Sequence, residues 1–192
     1  IGDRIALSDA AAQHLLRVLR ARPGDDVLLF NGTGCEVHAT VGSTSNRRTE
    51  LLVRARAAAA AVESPLTITL LQGVSRGERM DFVVQKATEL GVTAIAPVTT
   101  ERSVVRLSAD QAARRHDHWR AIMIAACEQC GRTVLPLLEP VAQLAPRLAA
   151  VSRGAVQIVL TPDGDQSLAD TVRGAGAVEL LIGPEGGLSA ME

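Results

Sequence analysis

From residue 66 to residue 182, short apolar runs alternate with helical stretches, and that rhythm leaves few folds open. Residues 66–71, 93–98, 155–160 and 178–182 read as strands, the third of them buried. Between them the pattern predicts helices over 78–90 and 109–130, with Gly91 and Gly131 just past their ends. A short strand near 134–138, a helix near 141–150 and a short helix over 167–173 complete the series. Helices of this length between β-rich runs imply crossover connections and an α/β fold with a parallel sheet covered on both faces. In such sheets ligands bind at the carboxyl ends of the strands.

The first third of the chain has another texture. Ser8 or Asp9 can cap a helix carrying Ala12, Leu15, Leu16 and Leu19. Turns at 22–26 and 31–34 then separate short strands at 27–30, 37–41 and 51–56, which suggests a small β-barrel. The alanine run 57–61 leads to Pro65, which places a domain boundary between 1–63 and 64–192. No internal repeat is present.

Composition narrows the function. Apolar residues make up 47% of the 192 residues, enough for a real core, and the net charge of −1 gives no global cationic field. Residues 73–132 carry a local net charge of +2 against −4 for 133–192, so an anionic partner would sit at the middle of the chain. The basic residues are arginine apart from Lys86, and the aromatic residues are Phe30, Phe82 and Trp119. A base-stacking platform needs several exposed rings, so any RNA must be handled through guanidinium groups, loops and shape. No segment reads as a signal peptide or a membrane span, and three cysteines are too few for a disulfide framework, so a soluble cytoplasmic protein is expected. Cys127 and Cys130 have C-x-x-C spacing, but zinc needs further soft ligands and a redox pair belongs at a helix start, so both read as packing residues and no metal is expected.

Three constellations could carry chemistry. The first is Ile182-Gly183-Pro184-Glu185-Gly186-Gly187-Leu188, between the last strand and a capping-box pattern of Ser189 with Glu192. Its glycines let backbone approach a ligand; without Lys or Arg it suits a nucleoside with a positive centre better than a phosphate, and a bare tight turn is the competing reading. Leu160-Thr161-Pro162 could line the same crevice, or be a polar connection. The capping box predicts a helix beginning where the 192 residues stop, so a longer natural protein is expected. The second is the stripe of Arg76, Arg79 and Lys86, opposite a buried face of Met80, Val83, Val84, Ala87 and Leu90. It reads either as a solvated face, with Glu89 pairing Lys86, or as contacts to RNA phosphate. The third joins Arg102, just past a strand's carboxyl end, with Glu128, Gln129 and Arg132 at the end of the long helix, where packing capped by arginine is the competing reading.

Taken together, His14–Arg22 with Pro23-Gly24, Gln72–Arg79, Gln85–Gly91, Glu101-Arg102-Ser103-Val104, Trp119 with Glu128-Gln129-Cys130-Gly131-Arg132, and Ile182–Ser189 resemble the SPOUT-class RNA methyltransferases. The closer resemblance is to the RsmE family, which makes N3-methyluridine in 16S ribosomal RNA. The resemblance implies a PUA-like barrel followed by a methyltransferase domain whose C-terminal segment ties a trefoil knot, working as a homodimer on 16S rRNA within the assembled small subunit. It implies S-adenosylmethionine as cofactor, held by Leu160, Thr161, Pro162 and Ile182 to Leu188. The family's third cofactor loop and its opening strand are expected to lie outside these residues. Arg102 and Arg132 are then candidates to stabilise charge on the uracil oxygens, and Glu128 is a candidate proton acceptor or orienting group. Arg17, Arg20, Arg22, Arg76, Arg79 and Lys86 are candidate RNA contacts. Open alternatives are a SPOUT enzyme with another base or RNA, a non-catalytic RNA-binding protein of the same fold, and a Rossmann-like enzyme, against which the missing G-x-G-x-x-G counts.

Overall fold

A computed structural model describes residues 2–45, 48–58, 63–103, 105–150, 154–161, 163–164 and 166–192. The chain forms two compact units, Ile1–Val62 and Glu63–Glu192.

The first unit holds β1 (Arg4–Ala6), α1 (Asp9–Gln13), β2 (Asp26–Phe30), β3 (Cys35–Ser45) and β4 (Arg48–Ala58). Ser8 caps α1, its hydroxyl accepting from the Ala11 N–H at 3.3 Å. The expected single helix is a short α-helix that continues as a π-helical turn, His14–Val18, and only Ala12 and Leu15 of its apolar set are buried, while Leu19 is exposed. The strands are antiparallel in the order β1-β4-β3-β2, an open path rather than a closed ring among the described residues. Period-2 alternation puts Val27, Leu29, Ala39, Val41 and Leu51 on one face, where they pack with Leu15. The opposite face carries Asp26, Leu28, His38, Thr40 and Arg54.

The second unit contains β5 (Thr67–Gly73), α2 (Glu78–Glu89), β6 (Ala94–Thr99), α3 (Ala109–Cys130), β7 (Leu137–Leu138), β8 (Ala142–Gln143), α4 (Leu144–Ala149), β9 (Val156–Leu160), α5 (Leu168–Thr171) and β10 (Ala177–Ile182). The six-stranded sheet runs β7-β6-β5-β10-β9, with β8 also pairing β6, and every pairing is parallel. The last strand is therefore an inner one, inserted between β5 and β9. On one face Leu70, Met80, Val84, Ile95, Trp119 and Met123 form the main core under α2 and α3. On the other, Leu71, Ala96, Val98 and Leu181 pack against Leu144 of α4.

Capping explains the two long helices. Ser108 and Gln111 form a reciprocal capping box at the start of α3, and Gly131 ends it in the left-handed region at φ 78°. Four expectations change. Leu90 is 85% exposed, because it is the C-cap of α2 and the turn at Gly91 hands its core place to Val92. The strand near 134–138 shrinks to β7. The start of the helix expected near 141–150 is instead β8, since Ala142 and Gln143 pair with β6. Finally, β9 is an edge strand, with Val159 and Leu160 about half exposed, and the burial read from its apolar run belongs to β10.

Candidate active site

Three loops meet at the carboxyl ends of neighbouring parallel strands. Ile182 at the end of β10 lies opposite Leu160 at the end of β9 and Gln72 near the end of β5, so the segments after all three open on the same edge. The order of the strands reverses around this point, the usual place for a ligand crevice.

The segment after β10 folds tightly on itself and its neighbours. The Gly187 N–H donates to the Pro184 carbonyl at 2.8 Å, and Gly187 sits at φ +67°. A side chain at Gly183 would press within 3.3 Å of Gly187 and Leu188; one at Gly186 would come 3.1 Å from the Arg102 carbonyl oxygen. The turn Thr100–Ser103 is held by Ser103 Oγ, which accepts from the Thr100 N–H at 2.9 Å. Arg102 is exposed on this turn, and its guanidinium has no ion-pair or hydrogen-bond partner among the described residues.

Two carboxylates fasten these loops. Glu192 Oε1 accepts from the Glu101 N–H at 2.7 Å, and its Oε2 accepts from the Ser189 N–H at 3.0 Å. The capping-box pattern of Ser189 is thus made in part, around a turn. Glu185 Oε1 accepts from the Arg76 N–H at 3.1 Å and lies 3.3 Å from an Arg79 nitrogen. The backbone N–H groups of Glu185 itself and of Arg76, helped by Arg79, hold the Glu185 carboxyl below the usual carboxylate range. Glu185 is accordingly a loop anchor with its charge answered by Arg79. Because its pKa is lowered on folding, its contribution is complete above the ordinary carboxylate value and is lost only as pH falls through the folded value. The protection that this contact gives residues 183–188 against hydrogen exchange should therefore be constant from pH 8 to 6, and Glu185→Gln should speed exchange several-fold across that range.

On α2, Lys86 pairs with Glu89 at 2.7 Å and lies 6.0 Å over the Phe82 ring. Of the basic stripe, Arg76 and Arg79 reach the loops, whereas Lys86 serves its own helix. Leu160 and Thr161 lie at the site's edge, with Thr161 accepting from the Gly164 N–H at 3.3 Å; Pro162 lies outside the described residues. Arg17, Arg20 and Arg22 are exposed in the first unit.

Arg132 and Glu128 are not brought to these loops within the chain. α2 and α3 run back from the carboxyl ends of β5 and β6, so the end of α3 lies at the amino ends of the strands. There Arg132, 9% exposed, donates to the carbonyls of Thr88 at 2.7 Å and Val92 at 3.1 Å and forms two bonds to the Glu63 carboxylate. Its guanidinium closes the C-terminus of α2 with four of its five N–H donors, the packing reading that competes with a chemical role for it. The same pairing explains why Glu63 belongs with the second unit. Cys127 is buried, which pushes its thiol up, and no metal-binding group of His, Cys, Asp and Glu occurs among the described residues. No described helix is long and apolar enough to cross a membrane.

The sequence reading missed Gly73, at the end of β5, where a Cβ would overlap the backbone of Pro184. It also gave no role to Glu192 beyond a helix cap. The Gly73–Pro184 contact and the Glu192–Glu101 bond have no local signature, because each joins residues about ninety or more positions apart.

Comparison with known proteins agrees with this arrangement. Residues 62–192 match the RNA methyltransferase domain family, and residues 7–52 match the RNA methyltransferase PUA domain. Among relatives, the chain is 30% identical over its whole length to ribosomal RNA small subunit methyltransferase E of Buchnera aphidicola, covering 78% of that protein. It is 26% identical to the protein of the same name from Bacillus subtilis, with 97% of this chain and 76% of that one covered. Among solved structures, ribosomal RNA small subunit methyltransferase E from Neisseria gonorrhoeae, bound to S-adenosylmethionine, superposes with a TM-score of 0.93 at 37% identity, over all of this chain and 78% of that one. A Legionella pneumophila methyltransferase, also with S-adenosylmethionine, gives 0.91 at 36% identity, over 99% of this chain and 78% of that one. With a PUA domain ahead of a matched methyltransferase domain and this identity along its whole length, the chain belongs to the RNA methyltransferase family that includes the small-subunit ribosomal RNA methyltransferases E.

Proposed function

We propose that this protein transfers a methyl group from S-adenosylmethionine to N3 of one uridine of 16S ribosomal RNA, within the small subunit in the cytoplasm. The observation that carries the reading is the glycine-rich turn after β10, in a chain 37% identical over its full length to a relative solved with that cofactor. The residues fit such a ligand. Gly183 and Gly186 let the loop pack closely on Leu188 and on the Arg102 carbonyl, Gly187 faces open space, Leu160 offers apolar surface at the edge, and the backbone at the strand ends supplies N–H and C=O groups for a nucleoside. Ile182 to Leu188 with Leu160, Thr161 and Pro162 would hold it. When bound, the cofactor supplies an already activated methyl group.

The protein's part is alignment, exclusion of water and management of a proton. Uracil N3 carries a proton at neutral pH, and its loss leaves negative charge on the ring oxygens. Arg102, exposed on a turn pinned against Gly186, would stabilise that charge. In a homodimer, Glu128 reaches the chemistry only if the second copy turns the amino-end edge of its sheet toward these loops. A C-terminal segment closing a trefoil knot belongs to the same proposal. Arg17, Arg20, Arg22, Arg76 and Arg79 would contact phosphate.

The test is nucleoside mass spectrometry of small subunits from cells lacking the activity, incubated with intact protein and S-adenosylmethionine. N3-methyluridine appearing only with enzyme is the expected result. A different methylated nucleoside would move the target base, and cofactor binding without any methylated nucleoside would overturn the substrate assignment. Arg102→Ala should lower kcat about 100-fold or more with cofactor affinity retained.

A further inference from the structure

The outer face of the first unit's sheet carries a cavity of about 360 Å³ lined by Asp26, Val27, Leu28, His38, Ala39 and Arg54. Its chemistry is ordered by a relay across three strands. The Thr40 hydroxyl donates to Asp26 Oδ1 at 3.0 Å and accepts from Arg54 Nε at 2.9 Å. Thr40 is buried, at 8% exposure, so the relay fixes the guanidinium plane from below. Both terminal nitrogens of Arg54 are left without a partner among the described residues. Beside it, Leu28 is 52% exposed and pairs across the strands with His38. A planar cation with its fork free, an apolar side chain and an imidazole thus share one hollow of nucleotide size.

We infer that this hollow binds one unpaired nucleotide of the RNA substrate, Arg54 taking the phosphate through its two terminal nitrogens and Leu28 with His38 taking the base. The inference rests on the reading of the protein as an RNA methyltransferase. It meets a problem that the composition poses: a chain with three aromatic residues cannot stack bases on rings, and here a guanidinium, an imidazole and a leucine stand in their place. A preorganised arginine binds a phosphate at lower entropic cost than a free one, because its orientation is set before the ligand arrives. The relay separates this arginine from Arg17, Arg20 and Arg22, whose exposed guanidinium groups no such bond orients among the described residues.

The experiment compares wild type, Arg54→Ala, Arg54→Lys, Thr40→Val and Leu28→Ser of the intact protein, measuring S-adenosylmethionine affinity, affinity for 16S rRNA over a salt series, and kcat and KM on small subunits. Arg54→Ala should weaken RNA binding and raise KM about tenfold and reduce the salt slope by about one, with kcat and cofactor affinity unchanged. Arg54→Lys should fail to restore it, since an ammonium cannot bond Thr40 and fork a phosphate together, and Thr40→Val should lose part of the effect with the cation intact. Leu28→Ser should weaken RNA binding severalfold at an unchanged salt slope. RNA affinity and KM within twofold of wild type in Arg54→Ala would overturn the inference, as would full rescue by lysine. Failure of the wild-type protein to methylate rRNA would instead count against the enzymatic reading itself.

Discussion

Gly73→Ala should cost the protein its cofactor site. The new methyl group would overlap the Pro184 nitrogen and come within 2.8 Å of the Gly183 carbonyl carbon. These are backbone atoms, held on one side by the β10 ladder and on the other by the Pro184–Gly187 turn, so no flexible side-chain end can yield. Displacing the turn moves the loop that we assign to S-adenosylmethionine. We expect cofactor affinity to fall at least 100-fold in calorimetric titration, with stability lowered by roughly 1–3 kcal/mol as for other overpacked positions. Gly176→Ala is the control, because a Cβ there meets nothing within 4 Å and its φ is ordinary. Wild-type affinity in Gly73→Ala would show that the turn can relax and that its position does not define the site.

Arg147→Ala should be the most damaging change to stability. The Arg147 guanidinium makes two bonds to Glu139, at 2.8 and 3.1 Å, and reaches Glu179 at 3.4 Å. Glu179 stands on the inner strand β10 at 5% exposure, and its other oxygen is buried with no hydrogen-bond partner among the described residues. The bonds to Glu139 first, and the charges of both carboxylates, raise the arginine's pKa, opposed by desolvation. A raised base contributes fully below its unfolded value, so this cation acts at full strength throughout the physiological range. Removing it strands a buried carboxylate in a sheet, which costs about 3–5 kcal/mol. Replacing the pair together, as in Arg147→Met with Glu179→Leu, removes the charge along with its partner and should recover most of that loss. Urea unfolding of the two variants beside wild type decides the matter; equal losses in the single and double variants would mean that shape, and not charge, sets the cost.

What could be read from the sequence was what short-range physics specifies. The period of α3, its Ser108 cap and its Gly131 terminator fall within one segment, and so did its bounds. The same holds for the glycine turn after β10, whose backbone freedom is written in its residues. Leu90 misled because a helix period continues on paper past the residue where the helix stops. The third strand misled because an apolar run does not say whether it lies at the edge or the middle of a sheet; β9 and β10 look alike in sequence, and the crossover order separates them. At the site, Arg102 could be proposed from its place after a strand. Arg132 could be proposed as readily, and nothing local reveals that Thr88, Val92 and Glu63 engage four of its donors. Nothing local marks Arg54 either, because the hydroxyl that orients it comes from another strand.

The double attachment of Glu192 has a thermodynamic corollary. One carboxylate holds the amides of Glu101 and Ser189, and Gly186 abuts the Arg102 carbonyl, so the turn carrying the arginine and the loop after the last strand cannot order independently. A ligand that stiffens one loop lowers the entropy cost of stiffening the other. Linkage then requires reciprocity: whatever factor the methyl donor contributes to RNA affinity, RNA must return to the donor. Cooperative loading of the two substrates is the expected consequence of these shared contacts, and cutting either bond of Glu192 should weaken the coupling.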